Sequence, residues 1–140
     1  MSSKKYNKYC FRVEIDGLDI ASFKTAGPLE GSIAVIEDKE GGSRVTRKSL
    51  GRVSYADISL TVGVSNNDEL WKWWKNAVSG KNAEKDLAIV QTDRAGVEKK
   101  RWNVENAQPV KFVAADYDAE SEDNNIETLV LCHEGFALKE

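Results

Sequence analysis

The chain has 140 residues, 41% of them hydrophobic, with a formal net charge of −3, one histidine and two cysteines. A chain of this length buries one full core, so we expect a single domain over residues 1–140. Two cysteines are too few for a disulfide scaffold, and the small negative charge gives no overall attraction to nucleic acid.

The first ten residues, MSSKKYNKYC, are basic but are not followed by an apolar run, so they do not form a secretory signal. No later stretch reaches the roughly 18 apolar residues that a membrane-spanning helix needs. We therefore expect cytoplasmic synthesis and assembly, without membrane insertion. In a reducing cytosol, Cys10 and Cys132 are expected to be thiols, packed as small hydrophobes on neighbouring strands.

The first predicted element is a hairpin over Phe11–Phe23, FRVEIDGLDIASF. Phe11, Val13 and Ile15 alternate with charged residues, which is the period of a half-buried strand. Asp-Gly at positions 16 and 17 tolerates the positive φ of a tight turn, and residues 18–23 are predicted to return as the partner strand. The chain therefore begins with an antiparallel β pattern.

Two further strands are predicted at Ser32–Asp38 and Asp57–Val64, where apolar residues are dense or alternate. The stretch between them, Lys39–Arg52, is polar and contains glycines, so it is predicted to be a long loop or the flared end of a hairpin. We expect the two strands to pair across it. This stretch carries a basic cluster composed of Arg44, Arg47, Lys48 and Arg52.

A single helix is predicted over Asp68–Ser79, with Asn66, Asn67 and Asp68 as capping residues and Gly80 as terminator. Its apolar face is expected to contain Leu70, Trp71, Trp74, Ala77 and Val78. Trp73 lies at the edge of this stripe and need not be fully buried. Lys72, Lys75 and Asn76 fall on the opposite, solvated face.

The remaining strands are predicted at Asp86–Thr92, Glu98–Ala107, Pro109–Ala115 and Ile126–His133, with a turn at Arg94–Gly96. An acidic loop at 116–125 precedes the last strand. About eight short strands and one outer helix indicate a mainly β protein, an antiparallel β-sandwich or barrel.

Residues that could support catalysis are scarce. His133 is the single histidine, and its sequence neighbour Cys132 should point to the opposite face of a strand, which argues against a Cys–His pair. The glycines at 41–42 lack the spacing of a phosphate-binding loop. One histidine and two separated cysteines do not supply a zinc site. We therefore expect no enzyme activity, no cofactor and no metal.

The charged residues are grouped into two clusters of opposite sign. The basic cluster lies at 44–52, and the acidic cluster contains Asp116, Asp118, Glu120, Glu122 and Asp123. Taken alone, both are explained as solvated loops. The alternative is that they are complementary ends of a head-to-tail contact, and such heterologous contacts generate rings or filaments.

Six elements, in order along the chain, resemble the tail tube proteins of contractile phages and contractile injection systems. They are VEIDGLDIASF at 13–23, residues 30–37 with GGSRVTRKSLG at 41–51, which together look like the family's long hairpin, the Leu-Trp helix after a Gly-Val strand end, Arg-Trp-Asn at 101–103, Asn-Ala and Pro-Val-Lys at 106–111, and IETL…HEG at 126–135. The sequence departs from the family at residues 6–10 and in the acidic stretch after Val113.

The resemblance implies a structural role as the protomer of an inner tube, similar in fold to the type VI secretion tube protein. Six copies would form a ring, and rings would stack inside a sheath between a baseplate and a terminator or cap. The lumen would conduct DNA or a protein effector, within a virion tail or a released or anchored injection particle. Ser59, Thr61, Glu127 and Thr128 are candidate lumen residues.

The resemblance also favours the interpretation that the two charged clusters form a head-to-tail contact between copies. Arg44, Arg47, Lys48 and Arg52 would then reach the next ring, where Asp116, Asp118, Glu120 and Glu122 are candidate partners. The helix would face the sheath with Lys72, Trp73 and Lys75. Two alternatives remain open: a tube-initiating baseplate paralogue of the same machine, which the compact length mildly disfavours, and a monomeric β-barrel module that binds a ligand.

Overall fold

The computed structural model describes residues 10–16, 18, 23–39, 41–42, 44–63, 68–114 and 126–139. Within these residues the chain forms nine strands and one helix. In chain order they are β1 (Cys10–Ile15), β2 (Thr25–Gly27), β3 (Gly31–Asp38), β4 (Arg47–Tyr55), β5 (Ile58–Gly63), α1 (Glu69–Val78), β6 (Lys85–Thr92), β7 (Glu98–Val113), β8 (Ile126–Cys132) and β9 (Gly135–Leu138). The predicted mainly β class with one helix is confirmed.

Seven strands form one antiparallel sheet in the order β1-β6-β7-β8-β5-β2, with β9 also paired to β7. β7 is 16 residues long. Its first half pairs with β6 and β9, and its second half pairs with β8. The fold has two layers: β1, β6, β9 and the first half of β7 form one, and β2, β5, β8 and the second half of β7 form the other. β7 thus belongs to both layers. The sheet is not closed into a barrel in the described part of the chain, where β1 and β2 are its outer strands.

The register of β7 is irregular where it passes from one layer to the other. Asn106 has a φ of 50°, a left-handed conformation that asparagine tolerates better than most residues, and its N–H donates to Asp86 Oδ1 at 3.0 Å. A second irregularity follows between Pro109 and Lys111, and proline suits such a position because it has no N–H to donate. These two points let a single strand change layers.

The hydrophobic core lies between the two layers and under the helix. On β5 and β8, Ile58 lies opposite Leu131 and Leu60 opposite Leu129, and all four side chains are fully buried. Val13, Ile15, Leu87 and Val104 enter the core from the other layer. The alternation of Val13 with Ile15 and of Ile58 with Leu60 therefore identified the buried faces of β1 and β5.

The helix ends as the sequence predicted. Gly80 has a φ of 82°, its N–H donates to the Ala77 carbonyl at 3.2 Å, and the Lys81 N–H donates to the Asn76 carbonyl at 3.0 Å. This pair of bonds is the Schellman arrangement that glycine permits at the end of a helix. At the other end Asp68 occupies the N-cap position but makes no capping bond with its side chain.

The buried face of the helix differs from the prediction. Trp73 is 1% exposed and donates its indole N–H to the Ala83 carbonyl at 2.6 Å, whereas Trp71 is 47% exposed. The helix has two adjacent apolar stripes, and periodicity could not decide which of them faces the sheet. Leu70 and Trp73 take the buried stripe, so Trp73 cannot present its ring to an outside partner.

The strand pairing also differs from the prediction. β1 pairs with β6, and Leu18 makes an isolated antiparallel bridge to Ile15, which agrees with the tight turn predicted at positions 16 and 17. Most of the predicted return strand over 18–23 cannot be compared. Residues 17 and 19–22 lie outside the described part. The strand at 31–38 pairs with Arg47–Tyr55 rather than with β5, whose partners are β2 and β8. The polar composition of 47–55 concealed this strand, but the pair that it forms with β3 agrees with the long hairpin that the family resemblance implied.

Three smaller expectations were wrong as well. Residues 98–107 and 109–113 form the single strand β7, and β9, with four residues, was too short to be recognised. Cys10 is exposed and Cys132 half-buried, and β6 and β7 separate their strands in the sheet order.

The buried indole bond of Trp73 provides a test of the packing. We expect Trp73→Phe to lower the free energy of unfolding by about 2 kcal/mol, because it leaves the Ala83 carbonyl without its donor and opens a small cavity. Trp71→Phe should change it by less than about 0.5 kcal/mol, since that position is half exposed. Urea unfolding of dilute protein, followed by circular dichroism, measures both. Equal losses would contradict the assignment of the buried stripe.

Candidate assembly surface

A two-stranded ribbon extends from the body of the protein. β2 continues into β3 and β4 continues into β5 with two or three residues between them, while β2 pairs with β5 and β3 with β4. The ribbon is therefore an extension of the sheet edge. We call the segment Gly31–Tyr55 the arm. Every residue of β3 is exposed, as is every residue of β4 except half-buried Gly51.

One face of the arm is apolar. Ile33 lies opposite Val53, and Val35 lies opposite Leu50. Alternate residues of a strand share a face, so these four side chains form one patch, which we call the arm face. Leu50 is 70% exposed and Val35 is 56% exposed. The reverse face is more polar, with Ser32 and Ser54 hydroxyls 3.2 Å apart and Ser49 opposite Ile36.

The predicted basic cluster lies mostly on a strand rather than in a loop. Arg47, Lys48 and Arg52 belong to β4, and Arg44 lies in the turn that precedes it. All four are exposed. The register places Asp38 opposite Arg47 and Glu37 opposite Lys48, which offsets part of the positive charge. Their proposed partners Asp116, Asp118, Glu120 and Glu122 lie outside the described residues.

The base of the arm is fixed by aromatic contacts that we call the shoulder: Tyr55, His133 and Phe136. The ring centroid of Tyr55 lies 5.5 Å from that of His133 and 5.5 Å from that of Phe136. A Cβ atom at Gly135, where φ is 145°, would approach the Tyr55 ring to 3.3 Å, so glycine is needed there for both conformation and space.

The single histidine joins the arm to the last strand. His133 Nδ1 accepts the Gly135 N–H at 3.1 Å, and Nε2 lies 3.0 Å from the Ala56 carbonyl oxygen. Because Nδ1 accepts, Nε2 carries the hydrogen and donates to Ala56. Both ring nitrogens are thus used to hold two backbone segments together. The contacts make His133 a positioning residue at the root of the arm.

The outer side of the helix presents cationic and aromatic side chains. Lys72 and Lys75 are exposed, and Lys72 Nζ lies 3.5 Å from Asp68 Oδ1. Trp71 and Trp74 pack against Phe112 of β7, with ring centroids 5.6 Å and 6.4 Å apart. Trp71, Trp74, Phe112 and exposed Val78 form an apolar patch that we call the helix ridge, and Lys72 and Lys75 are not part of it. Of the three residues predicted to face outward, Lys72 and Lys75 are exposed and Trp73 is not.

A network of ion pairs covers the outer face of β1, β6 and β7. Arg101 binds Glu14 at 2.9 Å and Glu98 at 2.9 Å, and Arg12 binds Glu14 at 2.8 Å. Arg12 and Arg101 both lie opposite Val90 of β6, whose side chain is fully buried although it lies outside the main core. The charged side chains therefore cover Val90 with their aliphatic stems.

This network shifts the acidity of its members. Hydrogen bonds from Arg101, and then from Arg12, lower the pKa of Glu14, and a hydrogen bond from Arg101 lowers the pKa of Glu98. The same bonds, first to Glu98 and then to Glu14, raise the pKa of Arg101 above its usual range. At neutral pH the positive and negative charges on this face therefore largely cancel each other.

The described residues contain no group of three or more His, Cys, Asp or Glu side chains that could hold a metal ion. A shallow groove of about 690 Å³ beside the network is lined by acidic and amide side chains, among them Glu14, Asp86 and Asn103. Within the same described residues, no helix is long and apolar enough to cross a membrane.

The sequence did not identify the arm face or the shoulder. Ile33 and Val35 alternate as a strand with one apolar face should, but the partner strand was hidden by its five basic and serine positions. The alternation of Leu50 and Val53 is also interrupted by the irregularity between Ile33 and Val35. The only signal of the shoulder was the sequence His-Glu-Gly, whose spatial neighbours depend on the fold.

Comparison with known proteins gives a consistent result. The family model of the T4-like virus tail tube protein gp19 matches residues 7–137. A chain in the cryo-EM structure of the PVC sheath-tube complex in the extended state, an extracellular contractile injection system, is 26% identical, with a TM-score of 0.83 and coverage of 99% of this chain and 97% of that one.

A chain in the structure of the PVC sheath/tube terminator in the extended state is 27% identical, covers 93% of both chains and gives a TM-score of 0.83. Hcp1 from Flavobacterium johnsoniae has the same fold at 18% identity, with a TM-score of 0.58 and coverage of 91% of this chain and 93% of that one. No curated protein sequence matches the chain.

The ion-pair network predicts how stability depends on pH. Glu14 and Glu98 have folded-state pKa values below the ordinary carboxyl value of 4.5, so the stability they contribute is present above pH 4.5 and is lost as the pH falls below it. We expect Arg101→Gln to be less stable than the parent above about pH 5, with a difference that shrinks toward pH 3.

Thermal unfolding at several pH values measures this difference, and Lys81→Gln, at an exposed position, serves as the control. A stability difference for Arg101→Gln that stayed constant from pH 7 to pH 3 would show that packing, not charge, carries the contribution.

Proposed function

Because the chain belongs to the family of T4-like virus tail tube proteins, we propose that its copies join into sixfold rings that stack into a hollow tube. As a member of this family it is a structural component of a tail or contractile injection particle. The ring, its symmetry and the stacking are our proposal. A catalytic role has no support from the arrangement of the described side chains.

The observation that carries the proposal is the unpartnered arm. An isolated two-stranded ribbon is at best marginally stable in water. Here one face of the ribbon nevertheless carries four large aliphatic side chains, all at least 45% exposed. Apolar surface of this kind on a structured protein is typical of an interface. A protomer whose arm is covered by a neighbouring protomer accounts for both features.

The open sheet supports the same conclusion. Within the described residues β2 pairs with β5 alone, and the edge of β1 away from β6 carries a single bridge, from Leu18 to Ile15. Unpaired strand edges tend to pair with another chain. Pairing between protomers would close the sheets into one continuous wall, and closure removes the exposed edges. A ring of protomers therefore satisfies backbone groups that a single copy leaves open.

We propose that the basic residues of the arm contact the next ring. Arg44, Arg47, Lys48 and Arg52 are exposed on the arm, where they can reach beyond the body of their own protomer. Their proposed partners are Asp116, Asp118, Glu120 and Glu122, which follow the end of β7 in the sequence. Complementary charges at such a contact fix register more than they add affinity.

The helix is proposed to face the sheath. Lys72 and Lys75 are exposed on its outer side and available to an acidic partner. One similar chain comes from a sheath-tube complex and another from a sheath/tube terminator structure, which supports a sheath and a terminal cap as partners. The family resemblance adds a baseplate. Assembly in the cytoplasm, and passage of DNA or a protein effector through the lumen, complete the proposal.

The lumen wall is proposed to include the polar face of β5 and β8. Thr61 lies opposite Thr128, and the Thr25 and Thr61 hydroxyls are 2.6 Å apart. Ser59 shares this face with Thr61. Glu127 lies opposite Val62 and shares the face of Leu129 and Leu131, so it is a poorer candidate than the sequence suggested. Paired hydroxyls give a weakly polar surface that would not retain cargo.

Negative-stain electron microscopy over a concentration series tests the ring. We expect rings with sixfold symmetry, and stacks of rings at higher concentration. Particles that remain monomeric at every concentration, also when a baseplate-type nucleating protein is added, would contradict the proposal.

The basic residues of the arm provide a second test. We expect Arg47→Glu combined with Lys48→Glu to prevent stacking while rings still form, because the change reverses the charge offered to the next ring. Tube length measured by electron microscopy reports the effect. Unaltered tube length would count against an inter-ring role.

The control for this test is Glu37→Gln combined with Asp38→Asn, which removes the cross-strand partners of Arg47 and Lys48 but keeps both cations. Like charges placed opposite each other on paired strands cost about 0.2–1 kcal/mol, so the double reversal also disturbs the arm locally. Normal stacking in the control would assign the loss to the contact between rings. A control that failed equally would assign it to the arm itself.

A further inference from the structure

The arm face does not end at the arm. Tyr55 lies two residues beyond Val53 on β4, hence on the same side, and it contacts Phe136. Phe136 in turn contacts Trp102 of β7, with ring centroids 5.8 Å apart. The apolar surface therefore runs from Leu50, far along the arm, through the shoulder to Trp102. We call this continuous surface the apolar strip.

The helix ridge is a second exposed apolar surface, built from different elements. Trp71 is the most exposed aromatic side chain of the described residues, Val78 is also exposed, and Phe112 packs against Trp71 and Trp74. The ridge projects from a helix, whereas the strip lies along a flat ribbon. Each surface is incomplete in the isolated protomer.

We propose that the apolar strip of one copy receives the helix ridge of the next copy. This inference rests on the proposed tube, because the tube makes a second copy the neighbour of the arm. The two surfaces differ, so the contact is heterologous, and each protomer both donates a ridge and offers a strip. A repeated heterologous contact closes into a ring when the rotation between copies permits.

The helix ridge is short enough to lie along the part of the strip between the Val35–Leu50 pair and Tyr55. Trp71 and Val78 are seven residues apart on a helix, which places them about 10 Å apart along its axis. From the Val35–Leu50 pair to Tyr55 the strip extends over about 13–17 Å of strand. Tryptophan buried at the centre of a contact commonly supplies much of the binding energy, and Trp71 lies in the position to do so.

Charged residues border the apolar centre of the strip. Glu37 follows Val35 on the same side of β3, just beyond the arm face, and Lys48 of β4 lies opposite it. Polar residues at the edge of an apolar centre are the usual arrangement of a protein interface.

The first experiment maps the contact directly. Leu50→p-benzoylphenylalanine places a photoreactive ring on the arm face, and Ser49→p-benzoylphenylalanine places it on the reverse face as a matched control. Equal amounts of unlabelled and ¹⁵N-labelled protein are mixed, irradiated and digested, and mass spectrometry identifies adducts between copies. We expect position 50 to link to the peptide containing Trp71, and position 49 not to do so.

The second experiment tests whether the contact is heterologous. Leu50→Asp damages the strip and Trp71→Asp damages the ridge, and each variant alone should associate about tenfold or more weakly than the parent. An equal mixture should form dimers but no rings, since each pair has one intact strip and one intact ridge. Ser49→Asp and Asn76→Asp, on the opposite faces of the arm and helix, should assemble normally.

Mass photometry measures the species, and circular dichroism melts show that each variant folds. Rings formed by both Leu50→Asp and Trp71→Asp, or adducts from position 50 that map away from the ridge, would overturn the inference while leaving the tube intact. Mapped adducts without rings from the parent protein would retain this contact and overturn the ring. Absence of both adducts and rings would overturn both.

Discussion

The fold depends on one strand that belongs to two layers. β7 pairs with β6 and β9 before its irregular region and with β8 after it. Two irregular positions of β7 leave no backbone N–H without a partner: Asp86 accepts the Asn106 N–H, and Pro109 has no N–H to donate. The layers are thereby held at a fixed relation, and the aliphatic core on β5 and β8 fills the space between them.

Trp73 completes this interior from the helix side. Its indole is among the largest fully buried side chains, and its N–H is satisfied by the Ala83 carbonyl just after the helix. An aromatic side chain with a paired polar atom adds buried area without leaving an unsatisfied donor. The helix is thus held by its buried stripe, and its other side remains available to partners.

The protein presents surfaces of two different kinds. The outer face of β1, β6 and β7 is covered by ion pairs whose members neutralise each other, so it offers little to a partner at neutral pH. The arm and the helix ridge instead leave aliphatic and aromatic groups in water. Because of this contrast, we propose the arm and the helix ridge as the surfaces through which the subunit associates.

The sequence by itself determined the family, the mainly β class, the helix with its glycine terminator and most core positions of β1 and β5. The strands and the helix follow from local patterns: alternation along a strand, apolar periodicity along a helix and the left-handed preference of Gly80. The tertiary structure decided which strands pair, because 47–55 is polar enough to look like a loop until β3 lies beside it. It also decided which tryptophan is buried, since Trp71 and Trp73 occupy adjacent stripes and only the position of the sheet distinguishes them. The shoulder could not be predicted, because Tyr55, His133 and Phe136 meet through contacts between residues up to 81 positions apart in the sequence.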